Sequence, residues 1–179
     1  MALKSTIFKA TVQLSDMDNN RYAEIPLTIA QHPSETDERM MVRLLAFLLN
    51  DHEGLEFGKG LSSDDEPAIW RKNYSDEILL WIDVGLPDKD RIRKASHKAD
   101  TVRIYAYGTN NASVWWEQNA SAIAKFGNVR VIQIAPEASA ALAGMVERTM
   151  HLSCSIQDGS VLLSNDKGTV EISPVTLKP

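Results

Sequence analysis

Between residues 64 and 106 the chain gathers the side chains that phosphate chemistry uses. Asp64-Asp65-Glu66-Pro67 forms an acidic cluster, and the apolar run Ile78-Leu79-Leu80-Trp81-Ile82 ends in Asp83-Val84-Gly85. Two strands can each deliver a carboxylate to one point. After Asp83 comes a helical stretch carrying Lys89, Arg91, Arg93, Lys94 and Lys98, and then a second strand pattern over residues 102–107. Oxygen ligands for Mg²⁺ or Mn²⁺, a water on that ion and a cation against the charge growing on phosphorus make a metal-assisted phosphodiester hydrolase. In that reading Asp83 holds the ion with Asp65 or Glu66, Glu38 orients water or ion, and Lys94 supplies the cation, with Lys98 and Lys89 behind it. Arg91, Ser96 and Lys98 are the candidate substrate contacts.

Each of these residues also has a plainer explanation. Asp83 ends an apolar strand, where an unpaired charge costs several kcal/mol, so it needs a partner, and an arginine serves as well as a metal. Asp65 and Glu66 before Pro67 suit an ordinary loop. Glu38, in the first turn of a helix, complements the helix dipole. In the basic helix Ile92, Ala95 and Ala99 mark the inner face; at about 100° per residue, Lys94 and Lys98 fall on the far side and Ser96 and Lys89 nearer the inner edge. A solvated basic face explains that run too.

The elements that must position these groups follow from periodicity. Residues 6–14 and 22–29 alternate around the turn cluster Asp16-Met17-Asp18-Asn19-Asn20, which predicts an N-terminal hairpin with Pro26 on an edge strand. Ser34 as N-cap, with Asp37 three residues on, predicts a helix over residues 35–50 with Met41, Leu44, Leu45 and Leu48 on one apolar face. Short strands are expected at residues 55–57 and 67–71 and a strong one at 78–84. Beyond the basic helix, strands at 102–107 and 129–134 alternate with helices at 112–126 and 136–147, a pattern that favours parallel neighbours in a mixed sheet. Residues 151–156, 161–163 and 170–175, separated by Asp158-Gly159 and Asp166-Lys167-Gly168, predict an antiparallel meander. The expectation is one α/β domain spanning residues 1–179.

Composition narrows the classes. With 179 residues and 44% hydrophobic content the chain can build a full core. Its net charge of −5 argues against coating nucleic acid by long-range attraction, although a local site stays open. One cysteine, Cys154, excludes an intrachain disulfide. No stretch is long enough to span a bilayer and the N-terminus lacks a signal-peptide core, so the expected location is the cytoplasm, with no membrane partner. The histidines lack metal-ligand spacing, and no Walker loop, dinucleotide fingerprint or Gly-x-Ser-x-Gly elbow points to a small-molecule cofactor or a serine hydrolase.

The order of helix, strands and carboxylates resembles the core of the PD-(D/E)XK nuclease superfamily, a restriction-endonuclease-like fold. Closer still is the likeness to the bacterial YaeQ family, carried by His32-Pro33-Ser34-Glu35-Thr36-Asp37-Glu38-Arg39, Glu66-Pro67-Ala68-Ile69-Trp70, Trp81-Ile82-Asp83-Val84-Gly85, Arg91-Ile92-Arg93-Lys94-Ala95 and Val102-Arg103-Ile104-Tyr105-Ala106-Tyr107-Gly108. The resemblance implies a nuclease-like fold in a cytoplasmic bacterial protein, and it favours Arg91 and Lys94 as site residues. The chain departs from the superfamily motif at one place: the lysine expected two residues after the strand carboxylate is absent, since Val84 and Gly85 follow Asp83. A cation displaced to the next helix restores a nuclease. Its loss leaves a non-hydrolytic protein on the same frame, acting through nucleic-acid or protein contacts.

Overall fold

The computed structural model describes residues 4–179. Apolar alternation and turn residues lay down eleven strands, β1 (Thr6–Asp16), β2 (Arg21–Gln31), β3 (Leu55–Phe57), β4 (Ile69–Lys72), β5 (Ile78–Val84), β6 (Ala99–Ala106), β7 (Val129–Gln133), β8 (Thr149–Gln157), β9 (Ser160–Ser164), β10 (Thr169–Ile172) and β11 (Val175–Lys178). Four helices, α1 (Asp37–Leu49), α2 (Lys89–Lys98), α3 (Asn110–Ile123) and α4 (Pro136–Ala143), complete the set. The strands form two mixed sheets, ordered β10-β9-β8-β1-β2 and β11-β7-β6-β5-β4-β3. In the second sheet β5, β6 and β7 run parallel, joined by crossovers through α2 and α3, while β3, β4 and β11 run antiparallel to their neighbours.

Helix α1 lies between the sheets. Every residue from Met40 to Leu48 is buried, because its sequence is apolar nearly all round rather than along one stripe. Side chains from both sheets, among them Val12, Ile29, Leu80, Ile82 and Leu152, close over it with Leu142 of α4. Arg43 remains charged inside this core because Glu35 accepts from its Nε at 3.1 Å and its Nη2 at 2.7 Å, and the Ala30 carbonyl accepts from Nη2 at 3.0 Å. A second core forms on the opposite face of the second sheet, where Trp81, Val102, Ile104 and Val131 meet Ile92 and Ala95 of α2 and Trp115 and Ile123 of α3.

Several expectations shift. The α1 N-cap is Thr36, whose Oγ1 accepts from the Arg39 N–H at 3.1 Å, because the Ser34 hydroxyl lies 2.6 Å from His32 Nδ1 instead. Helix α4 stops at Ala143, with Gly144 at its end, short of residue 147. Beside the expected mixed sheet stands a second one, which the N-terminal hairpin and the C-terminal meander build by joining each other through a parallel β1–β8 pair. The expected last meander strand is split: β10 pairs with β9, and β11 leaves to cover the β7 edge. No helix among the described residues is long and apolar enough to cross a membrane.

Candidate functional site

Strand β5 positions the central carboxylate by its pleat. Leu80, Ile82 and Val84 face α1, so Trp81 and Asp83 face the α2 side. Asp83 is only 5% exposed and sits beneath the first turn of α2. That turn is fixed by Asp88, the N-cap residue, whose Oδ1 accepts from the Arg91 N–H at 2.8 Å. The Arg91 side chain then reaches down to the strand end. Its Nε donates to Asp83 Oδ2 at 2.9 Å and its Nη2 to Asp83 Oδ1 at 3.0 Å, a two-pronged pair that satisfies both carboxylate oxygens. The same guanidinium ties down the acidic loop, donating from Nη2 to the Glu66 carbonyl at 3.1 Å and from Nη1 to the Asp64 carbonyl at 3.3 Å. Burial opposes the charged arginine, but the bond to Asp83 and the charges of Asp83, Asp64 and Asp88 outweigh it, so the Arg91 pKa is raised.

Around this pair opens a cleft of about 380 Å³ lined by Asp64, Asp65, Trp81, Asp88, Asp90, Arg91, Lys94, Ala95 and Lys98. Trp81 forms its floor, with the Arg91 guanidinium 5.7 Å and the Lys98 ammonium 5.9 Å from the ring centroid. Lys98 also approaches Asp65 at 3.8 Å, across a pair in which the Asp65 side chain is 91% exposed. Lys94 and Lys98 therefore do not turn away from the site: Arg91, Lys94 and Lys98, spaced three and four residues apart, form one stripe beside the inner face of α2.

The remaining sequence candidates divide. Glu66 meets Arg91 through its backbone carbonyl. Ser96 is spent on its own helix, its hydroxyl donating to the Arg93 carbonyl at 2.6 Å. Lys89, in the first turn of α2, is exposed and absent from the lining. Glu38 projects from α1, on the other side of the sheet, where its Oε2 accepts from the Ser139 hydroxyl at 3.0 Å. It lines a separate crevice of about 350 Å³ with Gly85, Leu86, Tyr107, Gly108, Thr109 and Asn111. The acids named by the sequence are thus not gathered at one point: Asp83 is forked by Arg91, and Glu38 lies in another crevice. Among the described residues no group of three or more His, Cys, Asp or Glu side chains converges as a metal site.

The profile of the YaeQ protein family matches residues 1–174. The chain belongs to the YaeQ family. It is 46% identical over 173 residues to the uncharacterized protein YaeQ of Escherichia coli strain K12, covering 97% of this chain and 96% of that one. The Salmonella typhi relative of the same name is 46% identical over 172 residues, covering 96% and 95% of the two chains. Among solved structures, the YaeQ protein of Xanthomonas axonopodis pv. citri superposes with a TM-score of 0.94 at 45% identity, over 97% of this chain and 98% of that one. The Pseudomonas syringae YaeQ protein gives 0.94 at 38% identity, over 98% and 97%. The likeness to these solved YaeQ proteins extends over both sheets and all four helices.

The cation that partners Asp83 was legible only in part. Arg91 stands eight residues beyond Asp83, on a helix that the N-cap Asp88 starts, but its role as a carboxylate clamp needs the helix rotation that Ile92 and Ala95 set. Trp81 as floor of the cleft follows from the pleat once Asp83 is placed, since residues two apart share a face.

Proposed function

We propose that this YaeQ family member is a non-hydrolytic binding protein on a nuclease-like frame, whose Trp81-floored cleft receives a charged segment of a protein partner. The observation that carries this reading is the Asp83–Arg91 pair: a carboxylate forked by a guanidinium on both oxygens already has its charge balanced without an ion. The cleft rim alternates in sign, with Asp64, Asp65, Asp88 and Asp90 beside Arg91, Lys94 and Lys98. Such a rim complements a peptide carrying both charges, whereas a phosphodiester backbone meets the four carboxylates as repulsion.

The second reading is the metal-dependent nuclease of the PD-(D/E)XK type, supported by the family's frame and by the approach of Lys98 to Asp65, which puts a cation beside the acidic loop. Melting curves with Mg²⁺ and Mn²⁺, run alongside a cleavage panel of single- and double-stranded DNA and RNA, separate the two. A binding protein shows no saturable rise in melting temperature and no cleavage. A nuclease is stabilised by the ion through mass action, cuts a member of the panel only in its presence, and loses both properties in Asp83→Asn.

A further inference from the structure

Arginines without an ion pair lie on the other face of the same sheet. In the ladder, Arg103 of β6 pairs in register with Arg130 of β7, in a row continued by Ile82 and Ile69, so both arginines face the α1 side. Arg71 of β4 lies on that face as well, in the row with Leu80 and Thr101. Among the described residues, none of the three forms an ion pair with a carboxylate. The side chain of Arg103 meets the neutral Asn50 Oδ1 through Nη1, while its Nε and that of Arg71 are buried without a partner. Buried donors of this kind are seldom left unpaired. Burial lowers the Arg103 pKa, and the charges of Arg130 and Arg71 lower it further against the opposing effect of Tyr105.

Arg103 and Arg130 line a cavity of about 350 Å³ at the seam between the two sheets. The next row of the ladder adds Tyr105 and Thr176 to its wall. The Tyr105 hydroxyl accepts from Asn50 Nδ2 at 2.7 Å, which leaves its own proton to donate. The two acids on the opposite rim are engaged in turns: Asp16 accepts from the Asn19 N–H at 3.1 Å and Nδ2 at 2.8 Å, and Asp18 from the N–H groups of Asp158 at 2.7 Å and Gly159 at 2.9 Å.

We propose that this seam cavity binds a compact oxyanion of the phosphate class, as free phosphate or as the phosphate group of a small molecule, with Arg103 and Arg130 as its cationic wall and Tyr105 and Thr176 as neutral donors. Guanidinium groups presented without a carboxylate match the planar, two-pronged recognition of phosphate oxygens. Asp16 and Asp18 restrict the class to small anions, because a strand of nucleic acid crossing the cavity brings phosphates against both acids. The proposal is independent of the Asp83 cleft, which opens on the opposite face of the sheet.

The test is a calorimetric and thermal-melt titration of the full chain with inorganic phosphate, pyrophosphate and glycerol phosphate, at ionic strength held constant with chloride. The expected result is saturable binding and a rise in melting temperature beyond chloride, weakened about tenfold or more in Arg130→Gln, whose side chain is exposed. Arg103→Gln weakens it likewise, and Arg148→Gln, just before β8 and outside the cavity, leaves it unchanged. Preference for glycerol phosphate over inorganic phosphate assigns the site to phosphorylated small molecules, and the reverse to the free ion. Equal effects of phosphate and chloride, full binding by Arg130→Gln, or tighter binding of a short oligonucleotide than of pyrophosphate through the same arginines overturns the proposal.

Discussion

Asp83 and Arg103 sit on neighbouring strands of one sheet, one facing α2 and the other facing α1, and their surroundings treat charge in opposite ways. Asp83 is nearly fully buried and fully answered, with an arginine fork on both oxygens. Arg103 is partly buried beside two more arginines, with one neutral partner and an orphaned Nε. A buried charge that is completely paired holds structure, and breaking the pair costs more than the pair itself contributes. A cation that folding leaves without an ion pair is available to an anionic ligand. The comparison therefore gives Asp83 a structural partner and directs attention to a face that the sequence does not advertise.

The largest expected effect breaks the first half of the comparison. Arg91→Ala strands a buried carboxylate and releases the 64–66 loop, so it should lower unfolding free energy by about 3 kcal/mol in urea titrations. Asp83→Asn should also destabilise, by a smaller amount, since Asn keeps an oxygen for Arg91 but loses the charge. Two carboxylates repelling across a shared site would instead make that substitution neutral or stabilising. A near-additive Asp83→Asn/Arg91→Ala double mutant would show that the pair is not coupled and would remove the architectural reading.

An intermediate effect comes from Cys154, which serves as an internal control for both faces. Burial, with a lesser contribution from Asp16, pushes its thiol up to about 12 from the ordinary value of 9.0. In the unfolded chain the thiol ionises first, so the unfolded state binds fewer protons and stability falls as pH rises from 9 toward 12. The slope should approach about 1.4 kcal/mol per pH unit, be clearest between pH 9 and 10 before tyrosines ionise, and flatten in Cys154→Ala. Arg91→Ala and Arg130→Gln should keep the wild-type slope.

The smallest effect tests the second half. In chloride buffer without phosphate, Arg130→Gln should raise stability by a few tenths of a kcal/mol, because it relieves repulsion with Arg103 at an exposed position. Loss of stability there would mean that Arg130 has a structural partner, and the contrast between the two faces would narrow.

The sequence carries most of the elements and little of their assembly. The run at residues 78–82 and the turn residues around Asp158-Gly159 place strands because apolar alternation and turn chemistry act locally. The partnership of β1 with β8 has no local signature, since any exposed edge of suitable length can pair, and it is this partnership that builds the second sheet. The N-cap of α1 is Thr36 and not the expected Ser34 for a chemical reason: the ring of His32 engages the serine. At the site, Asp83 and the cationic helix were legible, but a carboxylate's choice between an ion and an arginine depends on side-chain reach across eight residues. The Arg103–Arg130 pair was invisible because the two residues lie in separate strands and meet only through strand register.

The parallel β1–β8 ladder has a consequence for how the chain is made. The β1–β2 hairpin is made before the second sheet's parallel core, yet the β1 edge that will receive β8 stays unpaired until the whole of that core has been synthesised. Pairings between such distant segments close slowly, since the loop entropy is lost before the contacts form, and an open edge in the meantime can capture a neighbouring nascent chain. Strand β11, following later still, covers β7. Both sheets thus acquire their last neighbours from segments that follow the parallel core, which makes the arrival of β8 to β11, and not the emergence of the first hairpin, the step that commits this fold.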